Sequence, residues 1–537
     1  MILNIGVRRS LSDVQKDYDN GNKAPLESLM RAWKGIKDLP PQDPNSFFCL
    51  GGFHGEPFRG AGATSSTWWG GYCQHGTVLF PSWHRAYLWR LEKALQSIPG
   101  CSDVMLPFWD ECSDESRLNG IPRALTQESF ELDGTTIPNP LKSFVLPLSL
   151  VDNVKDDPVV YSKPSGYETV RYPLSGLLGT QKDAAATELH NAQYKDMARN
   201  VSLLNGNITS WLNGPMIVQG KAVAGMGEIH GKFIQSLDAA TYTLFSNTTS
   251  AGAWNKANPK AANALVPLES PHNFMHLAVG GFDYPGQGDL SPIEGANGDM
   301  GENDTAGLDP IFFFHHCFID YTFWIWQRRH AATQTLTIDG SDVGAKYSAD
   351  APPPAGADPD APLTLSTPLN PFTKMDGSPM ATSDCIDIEG QLGYTYGAGS
   401  LDAHSHASTS TQLASVPQAS DVGTLKVRGI SRSKVRGSFL ITAFATVDGK
   451  RQYLGTEAVL SRWHVEGCMN CMKHLEATAF FRLPMSAQEA LASTSNVEVE
   501  VRTRGGLLGG QPHGLPSPNA LHAKAESITT PFILEVI

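Results

Sequence analysis

The chain runs to 537 residues, longer than one ordinary domain and long enough to bury a large core. A formal net charge of −13 excludes nucleic acid and anionic membranes as natural partners and favours solubility. The N-terminal MILNIGVRRSLSDVQKDY has no long apolar run and no cleavage pattern, and no stretch approaches a membrane span. A cytoplasmic protein is therefore expected, with later release or cell-wall association left open.

Leu26, Leu29, Met30, Trp33 and Ile36 recur at helical spacing and predict a helix ahead of the glycine-rich loop GGFHGEPFRG, which carries His54. His75 and His84 lie in CQHGTVLFPSWHRAYLWRLE. Their spacing is about two and a half helical turns, which would put them on opposite faces of one helix. Pro81 suits a first turn, so His75 is expected just before the helix that carries His84. His272 and His276, in ESPHNFMHLAVGG, are spaced to sit one above the other on one helical face. Glu269 there reads as a helix-start carboxylate and Asn273 as a first-turn polar residue. Sequons at Asn200, Asn207, Asn247 and Asn303 carry little weight without a secretion signal. After Asp309-Pro310, IFFFHHCFIDYTFWIWQ predicts a buried helix with His315 and His316 side by side. Residues 1–330 thus read as helix-rich, and a four-helix bundle offering ligands from facing helices is the natural architecture.

The proline-rich segment 349–372 is expected to wrap the surface rather than enter the core. Residues 397–423, rich in Ser, Ala and Gly, read as a flexible linker and a candidate for proteolysis. From Thr424 the pattern changes to period two in TLKVRGI, GSFLITAFATV, HLEATAFFRLP, NVEVEVRTR and ITTPFILEVI, predicting an antiparallel β-sandwich over 424–537. Eight cysteines are too sparse at this length to suggest a disulfide framework. Cys468 and Cys471, spaced CMNC beside methionines, form a soft environment suited to copper(I); a structural disulfide, hairpin thiols, or half a zinc site completed by His464 or His474 are the alternatives.

Six histidines in two groups of three, with almost no cysteine nearby, describe a pair of copper ions better than a zinc finger. All-imidazole donors suit copper, zinc, iron or nickel, but a zinc hydrolase would bring a carboxylate ligand and an HExxH-like string, which is missing. Neutral imidazoles stabilise both copper oxidation states, and Phe312, Phe313, Phe314 and Phe318 would keep such a site dry.

These motifs resemble the type-3 dicopper proteins: tyrosinases, catechol oxidases and hemocyanins. HGTVLFPSWHRAYL is similar to the copper A signature; PHNFMHLAVGG and DPIFFFHHCFID are similar to the two halves of copper B. The likeness covers nearly the whole chain and is nearest to fungal tyrosinases made as proenzymes. It implies His54, His75 and His84 at copper A, and His272, His276 and His316 at copper B, with His316 preferred to His315 by its register from Asp309. It implies a thioether between Cys73 and His75, and a water held by Glu269 and Asn273 that deprotonates an incoming phenol. It places Asn303 and His315 at the substrate gate, although His315 reads equally as a hydrogen-bonding residue behind a ligand. It takes Tyr394-Thr395-Tyr396 as the close of a catalytic domain over 1–396, and 424–537 as a cover over the pocket, with Val459 or Leu460 as the plugging side chain. It also gives Cys468 and Cys471 a role in copper uptake. The implied activity is ortho-hydroxylation of monophenols and oxidation of o-diphenols to o-quinones with O2, as in melanin biosynthesis. A diphenol-only catechol oxidase and a hemocyanin-like oxygen carrier are the rivals. Partners are then small phenols, an activating protease and further copies of the chain.

Overall fold

The computed structural model describes residues 5–57, 71–152, 161–214, 216–218, 221–223, 229–261, 263–284, 298–346, 361–406, 423–447, 449–465, 468, 471–483, 497–503, 506–508 and 532–536. Up to residue 406 it is mainly helical: α1 Leu11–Asp19, α2 Ala24–Asp38, α3 Phe47–Gly52, α4 Phe80–Gln96, α5 Asp114–Asn119, α6 Gln181–Asn191, α7 Met197–Asn213, α8 Ile229–Ser236, α9 Tyr242–Ser246, α10 Thr248–Ala257, α11 Glu269–Gly280 and α12 Ile311–Arg329. Short strand pairs decorate it: β1 Gly6–Arg8, β2 Ser129–Leu132 with β3 Thr135–Pro138, β4 Leu150–Asp152 with β5 Tyr161–Lys163, β6 Met216–Val218 with β7 Lys221–Val223, and β8 Pro368–Thr373 with β9 Pro379–Ala381. Strand β10, Tyr394–Tyr396, pairs in parallel with β1.

The apolar stripe of α2 is fully used: Leu26, Leu29, Met30, Trp33 and Ile36 are all buried. Helix α4 starts with Pro81 in its first turn, where a missing N–H costs nothing. Helix α12 is buried from Ile311 to Gln327, and the Asp309 carboxylate accepts from Ile311 N at its start. A helix surrounded by protein must pair any charge it carries. Asp320 does so by accepting from Arg85 Nε at 2.6 Å, Arg8 Nη1 at 3.3 Å, Tyr394 Oη at 2.5 Å and Tyr396 Oη at 2.6 Å. Arg8 also reaches Glu92 at 2.9 Å and lies 3.6 Å from the Tyr394 ring centroid. One buried carboxylate on α12 therefore joins α4 to both ends of the helical part. Among the described residues no helix is long and apolar enough to cross a membrane.

After residue 422 come β11 Gly423–Ser431, β12 Phe439–Val447, β13 Lys450–Val459, β14 Glu476–Leu483, β15 Val497–Thr503, β16 Gly506–Leu508 and β17 Ile533–Val536. They form two antiparallel sheets, ordered β14-β11-β17 and β13-β12-β15-β16. Alternation along β12 assigns its two faces. Phe439, Ile441 and Ala443 pack between the sheets, whereas Leu440 and Phe444 join the core of the helical part. The β region is thus seated on the helices through its own apolar face.

Several expectations change. Strand β13 was not among the anticipated strands. Of the proline-rich stretch, residues 349–360 lie outside the described residues, but Leu363, Leu369 and Phe372 are buried in the helical core, with Phe372 packed on Trp83 and Tyr87. Proline content misleads here, because the β8–β9 hairpin points its apolar residues inward. The first ten residues of the expected linker are packed: Ser400 N donates to Asp110, Leu401 is buried, and Arg329 donates to His404 O. The remainder, 407–422, lies outside the described residues. Cys468 and Cys471 are joined as a disulfide, the alternative to the copper-binding thiols, and no thiolate pair exists for copper in that form. The four sequon asparagines are all buried, Asn247 as the cap of α10 and Asn207 donating to the carbonyls of Ala278 and Phe282.

Candidate metal centre

His54 follows the short helix α3, His75 precedes α4, and His84 lies one turn into it. Their ring centroids are 5.2, 5.7 and 5.3 Å apart. His272 and His276 share a face of α11, with centroids 4.4 Å apart. His316, on α12, brings its Nε2 to 3.3 Å from the Nε2 of each. The two groups face each other directly, with His84 stacked on His316 at 4.3 Å and His75 at 5.2 Å from His272. All six histidines expected to be ligands therefore meet in one place.

The hydrogen bonds select ring tautomers. His84 Nδ1 lies 2.9 Å from Phe80 O, His276 Nδ1 2.8 Å from Met300 O, and His272 Nδ1 3.0 Å from Asn273 Oδ1. A proton on each Nδ1 leaves Nε2 as a lone-pair donor turned inward. His54 has both ring nitrogens, and His84 its Nε2, buried without a protein partner. Burial pushes His84 down to about 3 and holds His54, His75, His272, His276 and His316 well below the ordinary imidazole range. Buried neutral imidazoles with orphaned nitrogens are costly unless something accepts their lone pairs. A metal does, and two three-imidazole groups without a carboxylate suit two copper ions.

His315 is not at the pocket rim. It is fully buried, its Nδ1 is 2.5 Å from Glu111 Oε1, and its ring stacks on His272 at 5.3 Å. Of the two roles expected for His315, this placement fits the hydrogen-bonding residue behind a ligand rather than the substrate gate. Burial pushes His315 down to about 3 and Glu111 well above the carboxylate range, so the pair favours holding one proton between its two members. Glu111, in LPFWDEC, was missed, although two acids inside an apolar string were a legible signal. Glu111→Gln is expected to weaken copper binding by about 10–100-fold, as outer partners of ligating histidines do, measurable by chelator competition.

A cavity of about 40 Å³ lies beside His75, lined also by Glu269, Asn273 and Asn303 from the helical part and by Arg432, Leu460 and Arg462 from the β region. Glu269 Oε1 accepts from Gly76 N at 2.8 Å, and its Oε2 accepts from Thr248 N at 2.9 Å and Thr248 Oγ1 at 3.0 Å. Burial pushes its carboxyl up, and these hydrogen bonds partly offset that. Gly76 has φ of 71°, a backbone that disfavours a side chain, and a Cβ there would strike His474. Asn303 is buried and donates toward Cys73 Sγ at 3.6 Å, so it walls the cavity rather than opening it. Cys73 is buried next to this group. Of the two plug candidates, Val459 packs between the β sheets, while Leu460 joins the helical core and lines the cavity. Arg462 and Asp304, buried and paired at 2.7 Å, escaped sequence reading because nothing local links residues so far apart in the chain.

The family model for the common central domain of tyrosinase matches residues 44–329. A tyrosinase of Hahella sp. is 51% identical over 89% of this chain and 88% of its own length. A tyrosinase of Aspergillus oryzae is 43% identical over 93% of each. The solved tyrosinase from Burkholderia thailandensis at low pH superposes with a TM-score of 0.80 at 46% identity, covering 99% of this chain and 100% of that one. Similar relatives are thus bacterial as well as fungal. With its histidine groups inside the matched segment, the chain belongs to the tyrosinase family of copper oxidoreductases.

Proposed function

We propose that this chain is a tyrosinase, ortho-hydroxylating small monophenols and oxidising o-diphenols to o-quinones with O2, and that it is made latent beneath its β region. The observation that carries the reading is the face-to-face meeting of two three-histidine groups under one buried cavity. His54, His75 and His84 hold copper A, and His272, His276 and His316 hold copper B; Cys73 fixes His75 through a thioether. His316 rather than His315 completes copper B because its Nε2 meets those of His272 and His276, while Glu111 occupies His315. The two copper ions supply oxygen activation and accept the substrate's electrons. The protein supplies the rest.

Helices α4, α11 and α12 with α2 act as the four-helix bundle of this fold, residues 1–396 as the catalytic domain and 424–537 as a β-sandwich cover. Leu460 blocks the substrate position. Reduction of the Cys468–Cys471 disulfide would restore the thiols that a copper-uptake role needs. Glu269 and Asn273 line the cavity together, where a water between them can take the phenol proton. A phenol ionises near pH 10 and binds metal poorly until it does.

The test is an assay of the copper-loaded chain on a monophenol and on its catechol. Turnover of both supports the tyrosinase reading, catechol turnover alone makes it a catechol oxidase, and no turnover with the cover removed sinks the enzyme reading. Glu269→Gln is expected to lower monophenol hydroxylation by about 100-fold, the ordinary worth of a positioned base, and diphenol oxidation far less. Equal losses on the two substrates would remove the water-base role.

A further inference from the structure

The segment between α11 and α12 touches both histidine groups. Met300 O accepts from His276 Nδ1, and Asn303 donates toward Cys73, beside His75. Asp304 O accepts from Glu56 N at 2.8 Å, two residues past His54. The approach there is so close that a Cβ on Gly55 would lie 2.0 Å from Asp304 O. Among the described residues of this segment, 298–310, there are only short helical turns, at Asp299–Gly301 and Ala306–Leu308. Its position therefore depends on what grips it.

From the helical part, Lys163 lies 3.6 Å from both Asp299 and Glu302, and Tyr161 Oη donates to Glu302. The grip on Asp304 comes from the β region. Arg462 is fully buried, with Nη1 2.7 Å from Asp304 Oδ1 and 3.4 Å from Glu56 Oε1. Trp463 N donates to Asp304 Oδ2 at 3.1 Å, Ser438 Oγ to Gly301 O at 2.7 Å, and Asn303 N to Ser461 O at 3.3 Å. One guanidinium thus binds a carboxylate from the His54 loop and a carboxylate from the loop that holds His276. Removing it leaves two buried acids side by side with a strong reason to separate.

We propose that Arg462 is a positioning residue of the dicopper centre, bracing the His54 loop against the Met300–Asp304 loop so that the covering region is a structural part of the metal site as well as its lid. The inference rests on the dicopper reading given above. It follows that detaching the β region exposes the pocket and loosens the metal together, and that each copper is held more tightly in the covered chain than in the cut one.

The test follows copper release from the reduced, copper-loaded full chain to a strong copper(I) chelator. Wild type is compared with Arg462→Gln, Arg462→Lys and Arg482→Gln. Arg482 ties the same β region to the carbonyls of Pro259, Asn258 and Asn263, none of which belongs to either metal loop, so it controls for general loosening. Arg462→Gln is expected to release copper about tenfold faster or more, the scale of outer-layer effects on metal binding, with Arg462→Lys recovering part of that and Arg482→Gln close to wild type. Wild-type release from Arg462→Gln overturns the brace, and so does equal acceleration by Arg482→Gln. Should the glutamine chain not be recovered folded, Asp304→Asn decides: faster release supports the brace, and unchanged release overturns it. A wild-type chain that takes up no copper fails the dicopper reading itself, and the brace with it.

Discussion

Asp320→Ala is expected to lower stability by about 3–5 kcal/mol, the range for breaking a buried ion pair from one side. The side chain is buried; it pairs with the fully buried Arg85 at 2.6 Å and shares the fully buried Arg8 with Glu92. Without it Arg85 keeps no carboxylate among its described partners, which are then the carbonyls of Cys385 and Ile386 and the Phe323 ring, and the hydroxyls of Tyr394 and Tyr396 lose their common acceptor. A urea titration followed by tryptophan fluorescence should show a lower midpoint. An unchanged midpoint would show that the network contributes nothing net. Asp320 sits one turn beyond His316 on α12, so copper content should fall as well. The pH dependence follows from the same contacts. Burial alone would raise this carboxyl, but the charges of Arg85 and Arg8 and the two tyrosine hydroxyls outweigh it and hold the group below its ordinary value. The unfolded chain then takes up the proton first as pH falls. The stabilisation is complete above the unfolded value of about 4 and is lost below it, as pH falls toward the folded value. In Asp320→Asn this portion of the acid sensitivity should disappear.

Cleavage within 407–422, with separation of the β region, is expected to raise monophenol and diphenol turnover by about 100-fold, equivalent to ~3 kcal/mol of closing free energy. The cavity of about 40 Å³ has room for a few waters, and Arg432, Leu460 and Arg462 of the β region wall it. On the proposed reading, separation opens a seam that includes the Arg482 carbonyl contacts, the Ser438–Gly301 hydrogen bond and the Arg462–Asp304 pair. Limited proteolysis followed by oxygen uptake on both substrates measures the gain. Turnover unchanged on cutting would show that the cover does not gate the pocket. Because the cut chain also loses its brace, the gain should decay without added copper and persist with it.

The two histidine groups were legible because their spacing encodes geometry. A four-residue step from His272 to His276 means one helical face, and Pro81 marks where α4 begins and so excludes His75 from it. Strands β11, β12, β14, β15 and β17 were legible by alternation while β13 and β16 were not, and β12 divides its side chains between two cores as period two requires. What sequence reading missed was long-range or polar. Arg462 with Asp304, Glu111 with His315, and Arg8 with Asp320 are buried pairs between distant segments, and no local pattern announces such a partner. His315 was left between two roles because a histidine in that position points either outward or backward, and packing around α12 decides which. Leu363 and Phe372 were missed because proline suggests surface even where the intervening residues are core.

The pairing of β1 with β10 sets an order on biosynthesis. Residues 6–8 find their strand partner, and Arg8 its tyrosines, only after Tyr396 has left the ribosome. Every element that carries one of the six histidines precedes Arg462 in the chain, so the helical part is made before its brace. At about 5–20 residues per second, the stretch from Tyr396 to Arg462 takes some seconds to make.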